Sequence, residues 1–196
     1  MKRDILVGID LGTTSLRVGF YDKEGNNLGF SVADYDLIHP RNTWVEQKTE
    51  DWLRALESAL KSGMEKFRVN KEQILGLSVG STCCSVVICD KEGNPYRNCI
   101  MWMDIRATKE AEEIAAISGE HLSAEWMPCK LLWLKHNEPD LYEKAEVFCE
   151  CQDYMTWFLT GKWSVNVNTA CNWGYNADEK GFPKWFYDKI GLPDAI

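Results

Sequence analysis

The chain has 196 residues, 45% of them hydrophobic, which is enough for a folded core and excludes an intrinsically disordered protein. The formal net charge of −8 argues against nucleic acid and against a polybasic membrane contact. Residues 1–4, Met-Lys-Arg-Asp, lead directly into a short apolar segment, so we predict no signal peptide, no membrane span and a cytoplasmic protein. In that compartment the eight cysteines are expected to be reduced, buried thiols, and the lack of Cys-x-x-Cys pairs argues against zinc.

Periodic patterns predict an alternation of strands and helices along the chain. Near the N-terminus we predict strands at 4–10, 15–22 and 27–34, then a helix over 49–67 with acidic residues in its first turn. The apolar face of this helix is expected to consist of Trp52, Leu53, Leu56, Leu60, Met64 and Phe67. The remaining elements are predicted in this order: strands 74–79 and 85–90, helices 104–117, 128–137 and 138–145, strand 146–150, and helices 151–161 and 182–192. This order indicates an α/β fold with a mixed sheet, and no linker marks a domain boundary.

The sequence Asp-Lys-Glu-Gly-Asn occurs twice, at 22–26 and at 90–94, each time at the end of a predicted strand. Hairpin turns commonly use Gly and Asn because these residues tolerate a left-handed backbone. Two explanations therefore remain open, the convergence of two turns and an internal duplication.

The first two predicted strands are joined by a turn rich in hydroxyl groups. Residues 10–15 read Asp-Leu-Gly-Thr-Thr-Ser, and Arg17 follows. Backbone N–H groups and hydroxyls in such a turn can surround a phosphate, glycine permits close approach, and an arginine fork suits phosphate oxygens. A carboxylate at the strand end, Asp10, can hold Mg²⁺ directly or through water. The residues are equally compatible with an ordinary hairpin turn.

Residues 8–17, Gly-Ile-Asp-Leu-Gly-Thr-Thr-Ser-Leu-Arg, resemble the first phosphate motif of the actin-like ATPase superfamily. Chaperone ATPases and the FGGY carbohydrate kinases share that motif. Three later segments resemble the FGGY kinases: Trp-Val-Glu-Gln at 44–47, the Trp-x-Asp-x-Arg pattern at 102–106, and 129–161 with Lys130 and Trp133. The resemblance covers essentially the whole chain. It implies a ribonuclease-H-like (actin-like ATPase) fold, with residues 1–196 as an incomplete N-terminal sugar kinase domain.

FGGY kinases transfer the γ-phosphoryl group of ATP to a hydroxyl of a sugar or polyol, and the resemblance extends this activity to our chain as an expectation. It implies ATP and Mg²⁺ as cofactors, with Asp10 on the metal side. The phosphate-facing residues are expected to be Gly12, Thr13, Thr14, Ser15 and Arg17. Acceptor contacts are expected from Thr82, Cys83, Asp104, Glu125 and Asn172. The general-base aspartate of the family falls beyond residue 196, so we expect residues 1–196 alone not to phosphorylate a sugar.

Three segments resemble the ribulokinase-like branch of the family and imply a ketopentose acceptor. They are Ser-Thr-Cys-Cys-Ser at 81–85, residues 123–135, and Thr-Ala-Cys-Asn-Trp at 169–173. Asn172 stands where ribulokinases have a lysine, so xylulokinase, glycerol kinase and other polyol kinases remain alternatives. A chaperone-type ATPase module is the alternative outside the kinases. A homodimer of the full-length protein is a further candidate assembly.

Some residues have a structural interpretation beside the functional one. Asp104 is predicted either to accept sugar hydroxyls or to cap a helix over 105–117. Trp102, Trp126 and Trp173 are predicted either to support an apolar sugar face or to pack in the core.

Overall fold

The structure is a computed structural model, and it describes residues 4–119 and 121–192. The strands are β1 Ile5–Leu11, β2 Ser15–Asp22, β3 Asn27–Asp34, β4 Glu46–Gln47, β5 Ile74–Ser81, β6 Val86–Cys89, β7 Cys99–Ile100 and β8 Val147–Glu150. The helices are α1 Thr49–Phe67, α2 Thr108–Ser118, α3 Met127–Asn137, α4 Pro139–Lys144, α5 Cys151–Thr160, α6 Val167–Asn172 and α7 Lys184–Ile190, and a 3₁₀ turn covers Lys71–Gln73.

The chain divides into two compact units. The first unit comprises residues 1–37 and 48–82, and the second comprises residues 38–47 and 83–196. The chain therefore crosses between the units three times. None of these crossings coincides with a Pro-, Gly- or Ser-rich linker, which explains why the sequence shows no boundary.

The first unit is built on a four-stranded mixed sheet in the order β3-β2-β1-β5. Strands β1, β2 and β3 are antiparallel, and β5 lies parallel to β1. The three N-terminal strands and the mixed sheet predicted from the sequence are confirmed. Alternation along β1 and β2 sends Val7, Ile9 and Val18 to a buried face.

Helix α1 packs against β2 and β3 on that buried face. Its bounds match the prediction, but its most buried side chains are smaller than expected. Besides Trp52 and Leu56, the buried helix face carries Ala55, Ala59 and Gly63, whereas the predicted Leu53, Leu60, Met64 and Phe67 are half-buried. Small residues four positions apart let the helix backbone approach the sheet, and the Ser31 hydroxyl donates a hydrogen bond to the Ala59 carbonyl at 2.6 Å.

The opposite face of the first sheet carries exposed apolar residues. Leu6, Phe30 and Val32 are 43%, 49% and 52% exposed. Leu75, near the start of the edge strand β5, is 61% exposed but is not assigned to this face, because β5 presents Ser78 and Gly80 beside Gly8 and Asp10. This face also carries Asp10, which is described below.

The second unit contains an antiparallel sheet in the order β4-β7-β6-β8. Its core joins the sheet to α2, α3 and α7, and the buried residues include Ile88, Ile100, Ile114, Leu132, Trp173 and Tyr187. Strands β4 and β7 have two residues each, which is too short for a pattern of alternation, so the sequence did not reveal them. Helix α6 was also missed, because Val-Asn-Thr-Ala-Cys-Asn has no apolar periodicity. Its start is fixed by the Asn166 side chain, which accepts hydrogen bonds from the N–H groups of residues 168 and 169.

The two Asp-Lys-Glu-Gly-Asn sequences form the same turn. In each, the asparagine N–H donates to one oxygen of the aspartate at 2.8 Å, and its side-chain amide donates to the other, at 3.0 Å in the first turn and 2.8 Å in the second. In each, the glycine has a positive φ, 86° at Gly25 and 75° at Gly93. The turns differ in their surroundings, since a Cβ at Gly93 would collide with Trp157 while a Cβ at Gly25 would meet open space.

All eight cysteines are free thiols. Five are buried as predicted, Cys84 is half-buried, and the prediction is wrong for Cys83 and Cys171, which are exposed. Within residues 4–119 and 121–192, no helix has the length and apolar character needed to cross a membrane.

Candidate active site

The turn between β1 and β2 is held in place by a tyrosine that follows β3. The Tyr35 hydroxyl donates to the Gly12 carbonyl at 2.7 Å, and the Tyr35 N–H donates to the Thr14 carbonyl at 3.0 Å. Inside the turn, the Gly12 N–H donates to the Ser15 carbonyl at 3.0 Å. A Cβ on Gly12 would lie 3.0 Å from that carbonyl oxygen, so a larger residue would require the Ser15 carbonyl to shift by a few tenths of an ångström. The tight turn therefore favours glycine at this position.

Asp10 and Arg17 face each other beside this turn. They are cross-strand partners in β1 and β2, and the Arg17 Nη1 lies 3.5 Å from the Asp10 Oδ2. Both side chains are 60% exposed. On its other side Asp10 pairs with Gly80 of β5, which leaves the carboxylate uncrowded. The structure thus brings together two of the residues that the sequence predicted to face a magnesium nucleotide.

A cavity of about 260 Å³ lies beside the Asp10–Arg17 pair. It is lined by Gly8, Ile9, Asp10, Arg17, Gly19, Tyr21, Phe30, Ser78 and Gly80. Gly8, Gly19 and Gly80 have no side chains, so the strand backbone itself forms one wall of the cavity. The sequence analysis overlooked these glycines, although the Gly-x-Asp spacing in β1 and the Arg-x-Gly spacing in β2 place them on the same face as the charged pair.

The remaining predicted phosphate residues lie on the turn and are not among the residues that line this cavity. Thr14 is exposed, and Gly12, Thr13 and Ser15 are half-buried. Their contact with phosphate stays a prediction. The exposed Asp10 carboxylate has the ligand chemistry that Mg²⁺ requires, so it fits the predicted role on the metal side.

The segment 81–85, which contains the predicted acceptor residues Thr82 and Cys83, is called the acceptor loop, and its backbone is left-handed at Cys84, whose φ is +56°. Few residues other than glycine adopt this left-handed conformation. Both polar groups of the Cys84 backbone are held by charged side chains. The N–H donates to Glu150 Oε2 at 2.7 Å, and the carbonyl accepts from Lys130 Nζ at 2.7 Å. The thiol of Cys84 stays protonated at neutral pH, because burial and the nearby Glu150 raise its pKa to about 12.

Lys130 connects this loop to the segment after β7. Its ammonium group also donates to the Met101 carbonyl at 2.7 Å and to the Trp102 carbonyl at 3.4 Å. The side chain is fully buried, and burial lowers the pKa of Lys130 to about 8. A further bond joins the same two segments, since the Trp102 N–H donates to Ser85 Oγ at 3.1 Å.

Glu150 lies at the junction of β8 and α5 and is also fully buried. Its second oxygen, Oε1, accepts a hydrogen bond from Asn172 Nδ2 at 2.8 Å. Burial raises the pKa of Glu150 to about 7, although the hydrogen bonds from Asn172 and from the Cys84 N–H oppose that rise. Asn172, predicted to contact the acceptor directly, therefore lies at the end of α6 and holds Glu150.

Asp104 is completely buried and has no acceptor position left for a sugar hydroxyl. Its Oδ1 accepts from the N–H and Nε of Arg106, both at 2.9 Å. Its Oδ2 accepts from Arg106 Nη2 at 2.7 Å and from the Val45 N–H at 2.6 Å. These four bonds fill the positions that a carboxylate offers. The predicted helix cap is wrong as well, because α2 begins at Thr108 and its N-cap is Ala107.

Arg106 lies against two indole rings that pack edge-to-face on each other in the same cluster. Its guanidinium carbon lies 3.9 Å from the ring centroid of Trp44 and 4.9 Å from that of Trp133. It also donates to Glu46 at 2.8 Å. Asp104 and Arg106 of the Trp-x-Asp-x-Arg pattern thus anchor the segment that presents Trp102.

The other predicted acceptor residues have hydrogen bonds of their own or lie in the core. Glu125 is half-buried and accepts from Ser123 Oγ at 3.1 Å. Thr82 belongs to the first unit and donates its N–H to the Leu11 carbonyl at 3.2 Å. Trp173 is fully buried in the core, as its packing interpretation predicts, while Trp102 and Trp126 are 37% and 40% exposed.

The mixed sheet with its hydroxyl-rich turn and charged pair defines a domain with the ribonuclease-H-like fold of the actin-like ATPases. The sequence model of the N-terminal domain of the FGGY family of carbohydrate kinases matches residues 5–194, and the chain belongs to this family.

Similarity to individual proteins agrees with this membership. The chain is 33% identical to a human FGGY carbohydrate kinase domain-containing protein, with 97% of this chain and 37% of the relative covered. It is 32% identical to a xylulose kinase of Lactococcus lactis, with 80% of this chain and 33% of the relative covered. The crystal structure of a xyloylose kinase from Brucella ovis superposes with a TM-score of 0.87 at 24% identity, covering 96% of this chain and 41% of that one. The chain thus spans about a third of the length of these curated relatives.

Proposed function

We propose that this chain is the N-terminal domain of a kinase that transfers the γ-phosphoryl group of ATP to a hydroxyl of a ketopentose. The observation that carries the proposal is the Asp10–Arg17 pair, exposed beside a glycine-lined cavity and next to the Gly12 turn. Phosphoryl transfer requires positioned phosphates and neutralised charge rather than covalent chemistry. An arginine fork supplies charge-assisted hydrogen bonds to phosphate oxygens, and an exposed carboxylate supplies an oxygen ligand for Mg²⁺.

The acceptor is proposed to contact the loop around Cys83 and the partly exposed Trp102. The loop carries small side chains, which leave room for a polyhydroxyl ligand. A half-exposed indole can support the apolar face of a sugar. The resemblance of 81–85 to ribulokinase-like sequences and the presence of xylulose kinases among the relatives both favour a ketopentose. The general base is proposed to lie beyond residue 196.

A substrate panel with MgATP tests this proposal on the complete gene product. The panel contains ketopentoses, pentitols, tetritols and glycerol, and the readout is ADP release at varied acceptor concentration. We expect a ketopentose to give the highest kcat/KM, and residues 1–196 alone to give no acceptor-dependent turnover.

Two outcomes would redirect the assignment. If glycerol or a tetritol gave the highest kcat/KM, the protein would be a polyol kinase. ATP hydrolysis that ignored every acceptor would instead favour a chaperone-type ATPase module.

A further inference from the structure

We propose that Lys130, Glu150 and Asn172 form a positioning cluster that fixes the acceptor loop and thereby sets the affinity for the sugar. The proposal rests on the function proposed above, because it assigns the loop around Cys83 to the acceptor site. None of the three residues is proposed to touch the reacting atoms.

The first support is the way in which the cluster holds Cys84. A left-handed backbone is unfavourable for a cysteine and persists only where its surroundings enforce it. Here the carboxylate of Glu150 accepts a hydrogen bond from the N–H of Cys84, and the ammonium group of Lys130 donates one to the Cys84 carbonyl. The backbone of Cys84 is thus held on both sides, and the exposed Cys83 is its immediate neighbour in the chain.

The second support is that the cluster links the acceptor loop to Trp102. All hydrogen bonds described for Lys130 Nζ go to carbonyl groups of Cys84, Met101 and Trp102. A lysine is suited to this task because its three donors can be shared among carbonyls that do not belong to one element. Motion of either segment would therefore disturb the other.

The third support is the energetic cost of the arrangement. Buried charges are expensive, and well-packed apolar residues in their place are often neutral or stabilising for a fold. Lys130 and Glu150 are nevertheless both completely buried, and their hydrogen bonds reach the backbone of the predicted acceptor site. Asn172 completes the cluster by filling the second oxygen of Glu150.

The charge states of the cluster make the acceptor affinity depend on pH. Glu150 is influenced by Asp153, Lys130 and Cys84, and Lys130 by Cys84, Cys99, Asp104 and Glu125. Burial raises the pKa of Glu150 to about 7 and lowers that of Lys130 to about 8, so both are charged only between these values. As the pH falls through 7, Glu150 takes up a proton, so one of its oxygens becomes a hydroxyl that faces an N–H donor, and the hydrogen bond at that oxygen is weakened. The acceptor KM should then rise.

The test measures KM for the acceptor and for ATP in the complete protein, with three variants. Asn172→Ala should raise the acceptor KM by about tenfold, the cost of a hydrogen bond to a charged group, and change the ATP KM by less than about twofold. Asn168→Ala, the same change at an exposed site of α6, is the control and should change neither constant. Glu150→Gln keeps an oxygen for the Cys84 N–H, and its amide can donate to a rotated Asn172. The acceptor KM of Glu150→Gln should therefore not rise as the pH falls below 7.

Equal increases of both KM values in Asn172→Ala, or an acid-side rise that persists in Glu150→Gln, would overturn the positioning role. Wild-type protein that phosphorylates no acceptor would instead defeat the proposed function. In that case hydrogen exchange at the Cys84 amide still tests the cluster. Exchange should be at least about tenfold faster in Asn172→Ala than in Asn168→Ala, and equal rates would overturn the cluster.

Discussion

Asp10 and Arg17 show how a single pair of residues can be assigned to function rather than to stability. Their side chains lie 3.5 Å apart and each is 60% exposed, so the ion pair adds little to folding. Surface pairs of this kind typically contribute at most about 1 kcal/mol. A measured effect on nucleotide binding that greatly exceeds the effect on stability would therefore identify a ligand contact.

Replacing Arg17 is the prediction at this scale. Arg17→Ala should raise the KM for ATP by about tenfold or more and leave the acceptor KM within about twofold, because a charge-assisted hydrogen bond to phosphate is lost. The melting temperature should change little. Lys61→Ala, which removes another exposed ion pair, Lys61–Glu57 on α1, serves as the control and should leave both KM values unchanged. A loss in Arg17→Ala that fell equally on both substrates would contradict the phosphate assignment.

The residues also show where prediction from sequence stops. Asp10 and Arg17 were predictable because the strand pattern alone places them on one face. Asp104 was not, because one of its four hydrogen bonds comes from Val45, which lies far away in the sequence, and the other three come from Arg106 in a turn that has no periodic pattern. The same holds for Asn172, since its partner Glu150 reaches the acceptor loop only in the folded chain.

At the scale of elements, the repeated turn isolates the effect of packing on a glycine. Gly25 and Gly93 occupy the same position in the same turn with the same sign of φ. Only Gly93 lies against an aromatic ring, that of Trp157. The same substitution made in both turns therefore differs only in the contact with Trp157, and the Gly25 turn serves as the control for the Gly93 turn.

Changing both glycines to alanine should separate backbone strain from steric overlap. Both variants carry the cost of a left-handed alanine, about 1 kcal/mol. Gly93→Ala should lose a further 1–3 kcal/mol, approximately, from overlap with Trp157. Urea denaturation monitored by tryptophan fluorescence measures the difference. Equal losses would mean that Trp157 moves aside without cost.

Long elements with a clear period were predictable, and short or polar ones were not. The bounds of α1 were predicted to the residue, because its acidic start and apolar stripe are both encoded locally. Its contact face was predicted less well, because Ala55, Ala59 and Gly63 become central only when the helix meets a sheet. Helix α2 begins four residues later than predicted, since residues 104–106 are held in the turn that buries Asp104.

At the scale of the whole chain, the family motifs in their order identified the fold, whereas the division into two units escaped sequence analysis. A unit that is assembled from two separated stretches of chain has no single boundary to recognise. Residues 38–47, which belong to the second unit, lie in sequence between two parts of the first.

The exposed β5 edge leads to a prediction about the 196-residue chain in solution. Strand β5 lies at the end of the described first sheet and carries Leu75, which is 61% exposed. Exposed edge strands with apolar side chains favour pairing between molecules, and lysine at such an edge opposes it. Leu75→Lys should therefore shift self-association of the chain to about tenfold higher concentration, as measured by chromatography with light scattering.

The control for this prediction is Ile117→Lys. It makes the same change at a similarly exposed residue, 43% accessible, on a helix rather than on a strand edge. If the two variants associated alike, net charge rather than the strand edge would govern association.

The left-handed backbone at Cys84 bears on how acceptor preference can diverge among relatives. A residue with a positive φ whose N–H and carbonyl are both hydrogen-bonded has few acceptable replacements, chiefly glycine and asparagine. Its neighbour Cys83 is under no such restriction, and its side chain is exposed. Substitutions that change the preferred sugar, in evolution or in laboratory selection, should accordingly accumulate at position 83. The residue at position 84 should stay unchanged, because its backbone conformation is fixed.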